Sequence, residues 1–97
     1  MKIITISERL AQIRQRCESA RPDPWKAYVE GRDHTSGDTF IMIGNEQNRL
    51  DDLYLQGSDD FVVPTADYDF IAHARADIPF LLNEIERLQK LLGQQRS

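Results

Sequence analysis

The feature that most constrains this 97-residue chain is an apolar stripe near its carboxyl end. Its members recur at alternating steps of three and four residues, with two further leucines beside them: Ile78, Leu81, Ile85, Leu88 and Leu92, then Leu82 and Leu91. This spacing places the side chains on one broad face of an α-helix over two heptads. A helix of this kind needs an apolar partner surface, which the rest of the chain has to supply.

The residues before the stripe predict either a second helix or a bend in the same one. Thr65 is a suitable N-cap for a helix that begins the segment, and Asp77 is suitable for a helix that begins before Pro79. A proline costs little in the first turn of a helix, where its missing N–H has no partner to lose. Gly93 is expected to end the helix. The sequence therefore predicts two C-terminal helices, or one kinked helix.

An amphipathic helix is predicted near the amino end. Thr5 and Glu8 have the spacing of a capping box, and Pro22 stops the helix. Three arginines lie on or next to it: Arg14, Arg16 and Arg21. They are interpreted as a solvated helix face or, alternatively, as a phosphate-facing cluster.

The middle of the chain reads as short strands. Residues 25–29 alternate apolar and polar side chains, residues 31–38 are polar and bracketed by glycines, and residues 39–43 are almost all apolar. Residues 50–56 are expected to form a third strand. Residues 61–63 are expected to form either a short edge strand or an extended lead-in to the helix.

The fold class that follows is α+β. It consists of an N-terminal helix, a small antiparallel sheet of three or four strands and two C-terminal helices (or one kinked helix), in a single domain over residues 1–97. A chain of this length buries only somewhat over ~60% of its unfolded surface. The stripe is wider than one thin sheet can cover. We therefore expect a homo-oligomer, a dimer or higher, held through Ile78, Leu81, Ile85, Leu88 and Leu92.

Composition excludes several classes of function. The net charge of −4 argues against general nucleic-acid binding, which needs an excess of Lys and Arg. The single Cys17 cannot form an intramolecular disulfide and favours a reducing cytoplasm. No apolar run approaches the ~18 residues that would span a membrane.

The sequence contains no complete catalytic set. His34 and His73 lack the partners of a zinc site, and the paired aspartates lack the spacing of a calcium loop. No serine lies in a nucleophile elbow, and no glycine-rich loop precedes a helix. We therefore expect a non-enzyme with no catalytic residues, no metal and no cofactor.

A binding site requires less: an aromatic surface and one or two cations. Trp25 follows the rigid segment Pro22-Asp23-Pro24, and Phe70 stands close to His73 and Arg75. Trp25 is either an anchor between helix and sheet or a ligand contact. His73, Arg75 and Asp77 are either a local ion-pair and capping network or part of a site in which Arg75 faces an anionic ligand or another subunit.

Two stretches together resemble a signature of small phage and prophage proteins. The first is Pro22-Asp23-Pro24-Trp25. The second is the phrase DFIAHARADIP at residues 69–79, with Leu82 and the EIERL run that ends at Leu88. The characterised group that the chain most resembles is the phage anti-Thoeris sponge family, whose multimers sequester cyclic ADP-ribose-type signals made by bacterial TIR enzymes.

The resemblance implies a cyclic nucleotide ligand that is bound and not degraded, in the cytoplasm of an infected bacterial host. The resemblance implies that five residues of this chain bind the ligand: Trp25, Phe70, His73, Arg75 and Asp77. Flat bases suit aromatic stacking, and a diphosphate suits arginine. The alternative is a phage or prophage interaction protein that acts on a host protein through its helices and has no small-molecule ligand.

Overall fold

The fold is α+β, as the sequence predicts. A computed structural model describes residues 4–35, 37–58 and 61–95. The elements follow one another as α1 (Ile6–Ser19), β1 (Trp25–Tyr28), β2 (Phe40–Gly44), β3 (Arg49–Leu53) and α2 (Thr65–Gln95).

The first helix begins at the predicted cap. The backbone N–H of Glu8 donates to Oγ1 of Thr5 at 3.1 Å, which satisfies one of the N–H groups that a helix start leaves unpaired. At the other end the N–H of Ala20 donates to the carbonyl of Arg16 at 3.1 Å. The helix thus ends before Pro22, which cannot continue it.

The C-terminal segment is one helix, α2, which decides between the two predicted alternatives. Thr65 is its first helical residue and not its cap, and Asp77 lies inside it and caps no second helix. Pro79 also lies inside, and the helix continues through Gly93 to Gln95. A proline costs ~3 kcal/mol and a glycine ~1 kcal/mol in a helix interior. Over 31 residues the remaining hydrogen bonds and packing outweigh these costs.

The three strands form one antiparallel sheet in the order β1-β2-β3. Trp25 lies opposite Ile43, Tyr28 opposite Phe40, and Ile41 opposite Leu53. The register shifts between Ile43 and Gly44. Gly44 has φ +100°, and a Cβ there would come within 2.3 Å of the Asn48 carbonyl, so the turn into β3 requires glycine.

Two strand predictions need adjustment. β3 begins at Arg49 and ends at Leu53, so the expected strand at residues 50–56 is shorter and starts earlier. Residues 61–64 belong to no strand, which leaves the predicted extended lead-in and a sheet of three strands. Pro64 follows directly and cannot donate a hydrogen bond to a ladder.

The chain divides into two compact units. The sheet unit comprises Arg21–Ala76 and contains the three strands and the first part of α2. The helical unit comprises Met1–Ala20 and Asp77–Ser97 and contains α1 and the rest of α2. The single domain over residues 1–97 stays a prediction.

The sheet unit has a core between one sheet face and α2. Its buried residues are Ala27, Ile41, Tyr68 and Ala72, with Trp25, Leu53, Leu55, Val63 and Ile71 packed against them. The Tyr68 hydroxyl donates to the Leu55 carbonyl at 3.1 Å, so the one polar atom of this side chain is satisfied. Because side chains alternate along a strand, Tyr28 and Phe40 lie on the opposite face, which we call the open face.

The helical unit buries only part of the apolar stripe. Leu82 is buried (5% exposed), and Arg14 lies 3.5 Å from the Asn83 side-chain oxygen and 3.7 Å from Glu86. The five stripe residues predicted to join subunits are all exposed: Ile78, Leu81, Ile85, Leu88 and Leu92.

An arginine ties the loop after β1 to the first part of α2. Arg32 donates to both carboxylate oxygens of Asp69, at 2.8 and 3.0 Å, and also to Asp33 at 3.0 Å. Asp33 in turn accepts a bond from the backbone N–H of Val29 at 2.8 Å. The fork of the guanidinium fixes the loop geometry as well as pairing charge.

This tie should make stability depend on pH. Hydrogen bonds from Arg32 are the largest cause that lowers the pKa of Asp69 and of Asp33 below 3.8. A carboxylate with a lowered pKa stabilises the fold above its unfolded-state value, and the contribution disappears as the pH falls through the folded-state pKa. We expect Arg32→Gln to lower the melting temperature at pH 7, and we expect its gap to the wild type to narrow as the pH falls below 3.8.

Thermal melts followed by circular dichroism across that pH range check this expectation. Arg9→Gln, at an exposed position of α1, is the control and should follow the wild type throughout. A gap between Arg32→Gln and the wild type that is unchanged at low pH contradicts the electrostatic explanation.

Candidate ligand-binding site

Two of the five predicted site residues meet at one backbone atom. Nε1 of Trp25 donates to the carbonyl of Arg21 at 3.2 Å, and Nε of Arg75 donates to the same carbonyl at 2.8 Å. Since a carbonyl oxygen has two lone pairs, both bonds can form together. We call Arg21, Trp25 and Arg75 the arginine–tryptophan cluster.

The local sequence explains why these residues converge. Two prolines between Arg21 and Trp25 fix the backbone angle φ, and the connector bends at Asp23. The connector is tied to the sheet, because the Gly44 N–H donates to the Pro24 carbonyl at 2.9 Å. Trp25 then begins β1 opposite Ile43, half-buried against the core.

The cluster combines an aromatic ring with a positive balance of charge. Its two guanidinium groups belong to Arg21 and Arg75, and NH1 of Arg21 donates to Asp51 at 2.7 Å. That bond is the largest cause that lowers the pKa of Asp51. The Arg21 side chain is thereby held towards β3, whereas Arg75 is held at the Arg21 carbonyl, which also accepts the bond from the indole of Trp25.

The other three predicted residues do not join this cluster. Phe70 is 76% exposed, and His73, three residues further along α2, is exposed on a similar side of the helix. Arg75 is five residues from Phe70 and therefore projects elsewhere, which lets it reach Arg21. Asp77 is an exposed residue of the helical unit. Ligand contact by these residues stays a prediction.

Sequence reasoning gave Arg21 too little weight. It considered Arg21 only together with Arg14 and Arg16, as a solvated face or a phosphate-facing cluster, whereas Arg14 pairs within the helical unit and Arg21 lies after the end of α1. The available signal was an arginine directly before a Pro-x-Pro-Trp segment. Its importance comes from the backbone carbonyl, which no side-chain pattern reveals.

A second feature that sequence reasoning missed lies on the open face. The rings of Tyr28 and Phe40 are stacked with centroids 5.5 Å apart, and His34 and Tyr54 approach Phe40 at 5.4 and 5.7 Å. Together with Arg49 these side chains line a cavity of about 410 Å³. We call it the aromatic groove. In the sequence, Tyr28 and Phe40 are ordinary strand aromatics of a kind that mostly belongs to a core.

The described part of the chain holds neither a cluster of metal ligands nor a membrane-spanning helix. Among residues 4–35, 37–58 and 61–95, no three His, Cys, Asp or Glu side chains are grouped closely enough to hold a metal ion. Within the same ranges, neither helix combines the length and the apolar content needed to cross a bilayer.

Comparisons with known proteins add no assignment. No protein-family model matches the chain, no curated protein matches it, and no solved structure is significantly similar to it.

Trp25→Phe should destabilise the sheet unit even without a ligand. Phenylalanine keeps a ring against the core but loses the bond to the Arg21 carbonyl, which should cost about 1 kcal/mol in free energy of unfolding. The smaller ring adds a packing loss. Urea denaturation followed by circular dichroism measures the difference. Tyr54→Phe, at a 60% exposed aromatic position, should change the free energy of unfolding by less than about 0.5 kcal/mol. Equal stability of Trp25→Phe and wild type contradicts the anchoring role.

Proposed function

We propose that this protein binds and sequesters a cyclic nucleotide immune signal of the cyclic ADP-ribose type, as a phage anti-defence sponge in the cytoplasm of an infected bacterium. The observation that carries the proposal is the arginine–tryptophan cluster. In it, Trp25 and Arg75, both implied by the resemblance, share one acceptor on Arg21.

The cluster has the chemistry that such a ligand requires. A guanidinium pairs with a phosphate through two parallel hydrogen bonds, and an indole ring offers a flat surface for a base. In an acidic chain an anionic ligand needs local positive charge. Asp51 offsets the charge of Arg21, so Arg75 gives the cluster its positive balance.

A second subunit supplies the ligand contacts of Phe70, His73 and Asp77 in this proposal. They are exposed on α2 and do not converge with Arg75 in one chain. In a homo-oligomer another copy of α2 can bring them to the ligand, which accords with the multimeric sponges that the sequence resembles. Binding without turnover is part of the proposal, because the sponge family that the sequence resembles binds its signal without degrading it.

Arg75→Lys should weaken binding although the charge is kept, because lysine lacks the planar fork. Losing a charge-assisted bond of this kind costs on the order of 1.5–3 kcal/mol, or roughly tenfold to a hundredfold in affinity. Arg75→Ala should cost at least as much. Calorimetric titration with cyclic ADP-ribose isomers and cyclic oligonucleotides measures both, and intact ligand recovered after denaturation distinguishes a sponge from an enzyme.

The matched control is Arg87→Lys, since Arg87 pairs with Glu84 in the helical unit and should bind as the wild type does. Melting temperatures must be measured alongside, because Arg75 also bonds to the Arg21 carbonyl. A folded Arg75→Ala protein with wild-type affinity removes Arg75 from the site. If the wild type binds none of these signals, the sponge proposal fails.

A second candidate function is supported by the exposed stripe of the helical unit. Ile78, Leu81, Ile85, Leu88 and Leu92 form an apolar face that α1 does not bury. Exposed apolar faces of this kind mark protein-binding surfaces. A phage or prophage protein that binds a host protein through its helices would use it in place of a small molecule.

We also propose that the stripe forms the interface between subunits of a homo-oligomer. Leu88 is 45% exposed at the middle of the repeat, so Leu88→Lys should yield monomer or aggregate. Light scattering at tens of micromolar checks this, with Gln12→Lys, an exposed polar position of α1, as the control of equal added charge. A monomeric wild type rejects the homo-oligomer and leaves the stripe to a different protein.

A further inference from the structure

The aromatic groove lies on the sheet face opposite the arginine–tryptophan cluster and has the opposite electrostatic character. Tyr28 and Phe40 pair across β1 and β2 on the open face, whereas Trp25 belongs to the face that packs against α2. Nothing in the proposed function uses the groove. We propose that it binds a guanidinium group, namely the side chain of an arginine in a partner protein.

The aromatic rings of the groove favour a cation as its ligand. Four aromatic side chains approach one another around Phe40, and an aromatic ring presents a negative face that attracts cations. Met42 lies in the lining and is buried, so one wall of the groove is apolar. The planar and weakly hydrated guanidinium is the protein cation that stacks best on such rings.

The charged side chains that line the groove also favour a cation. Asp38 and Glu46 line the groove, whose one arginine, Arg49, donates from Nε to Asp52 at 2.9 Å. The Arg49 charge is thus offset by Asp52. The two lining carboxylates outnumber the one further cation beside the rings, Lys26, and give the groove a negative balance. This balance disfavours phosphate and favours a cation with several N–H donors.

Two cations of this chain already lie over rings of the groove. The guanidinium carbon of Arg49 lies 5.3 Å from the centre of the Phe40 ring, while Asp52 accepts its hydrogen bonds. Nζ of Lys26 lies 5.0 Å from the centre of the Tyr28 ring. An incoming arginine would repeat the Arg49 arrangement, with the rings on one side and Glu46 or Asp38 as its carboxylate partner.

The openness of the groove favours a side chain over a metabolite. Tyr54 is 60% exposed, and Asp38 and Glu46 are exposed as well. Small-molecule sites usually bury most of the ligand surface, whereas a side chain on a protein partner gains further contacts around the groove.

The test uses N-acetyl-arginine-N-methylamide as the probe, titrated into the full chain and followed by NMR shifts of the Tyr28, Phe40 and Tyr54 rings. The neutral citrulline analogue has nearly the same shape and is the matched ligand control. We expect saturable shifts with the arginine probe, weakened by added salt, and none with citrulline at the same concentration.

Two variants test the residues. Glu46→Gln should weaken binding by about threefold to fivefold, the loss typical of an exposed charge pair, whereas Glu18→Gln on α1 should not. Tyr54→Leu should weaken binding without unfolding the chain, because the ring is largely exposed, and Phe80→Leu, an exposed ring of the helical unit, should have no effect.

Several results would overturn the proposal. These are equal binding of the citrulline probe, shifts that map outside the groove, unchanged affinity in both Glu46→Gln and Tyr54→Leu, or no shift up to tens of millimolar probe. Agmatine that binds tenfold more tightly than the blocked arginine would reassign the groove to a small-molecule cation. Failure of any arm leaves the sponge proposal intact, because its ligand and its variants lie on the other sheet face.

Discussion

The sheet unit depends on the complete burial of one central strand. β2 pairs with both neighbours, and its side chains Ile41 and Ile43 have no exposed surface. Burying two such side chains stabilises the unit by roughly 3–6 kcal/mol, a large share of the stability of a small fold. The strand also sets the register that positions both candidate sites, because Ile43 lies opposite Trp25 and Phe40 lies opposite Tyr28.

The two faces of the sheet differ in burial and in charge, because only one of them packs against α2. On the face against α2 the apolar residues are covered, and the polar groups at its edge are bonded to backbone, as with Tyr68 and Leu55 or Arg75 and Arg21. On the open face the aromatic side chains contact one another and lie beside Arg49, Lys26 and Glu46. The first face carries Arg75 and the second has a negative balance of charge, which is why the two faces are proposed to bind different partners.

The helical unit has a different constraint, which is an apolar stripe wider than the surface that α1 covers. α1 has 14 residues and packs against only part of the stripe. Leu82 is buried while Leu88 and Leu92 are exposed. In both proposed functions a second protein surface covers the exposed part of the stripe. The functions differ in whether that surface belongs to another copy of this chain or to a host protein.

The sequence by itself determined the elements whose signals are local. The capping box at Thr5 and Glu8, the alternation that begins at Trp25 and the apolar run of β2 each act within a few residues, so pattern reasoning located them. It could not decide whether Pro79 would break α2, because that depends on the sum of propensity and packing over the whole helix. Nor could it find the groove, since Tyr28, Phe40 and Tyr54 become neighbours only through strand register. The tertiary structure alone decided that Arg75 and Trp25 share the Arg21 carbonyl, because a backbone acceptor carries no trace in the side-chain sequence.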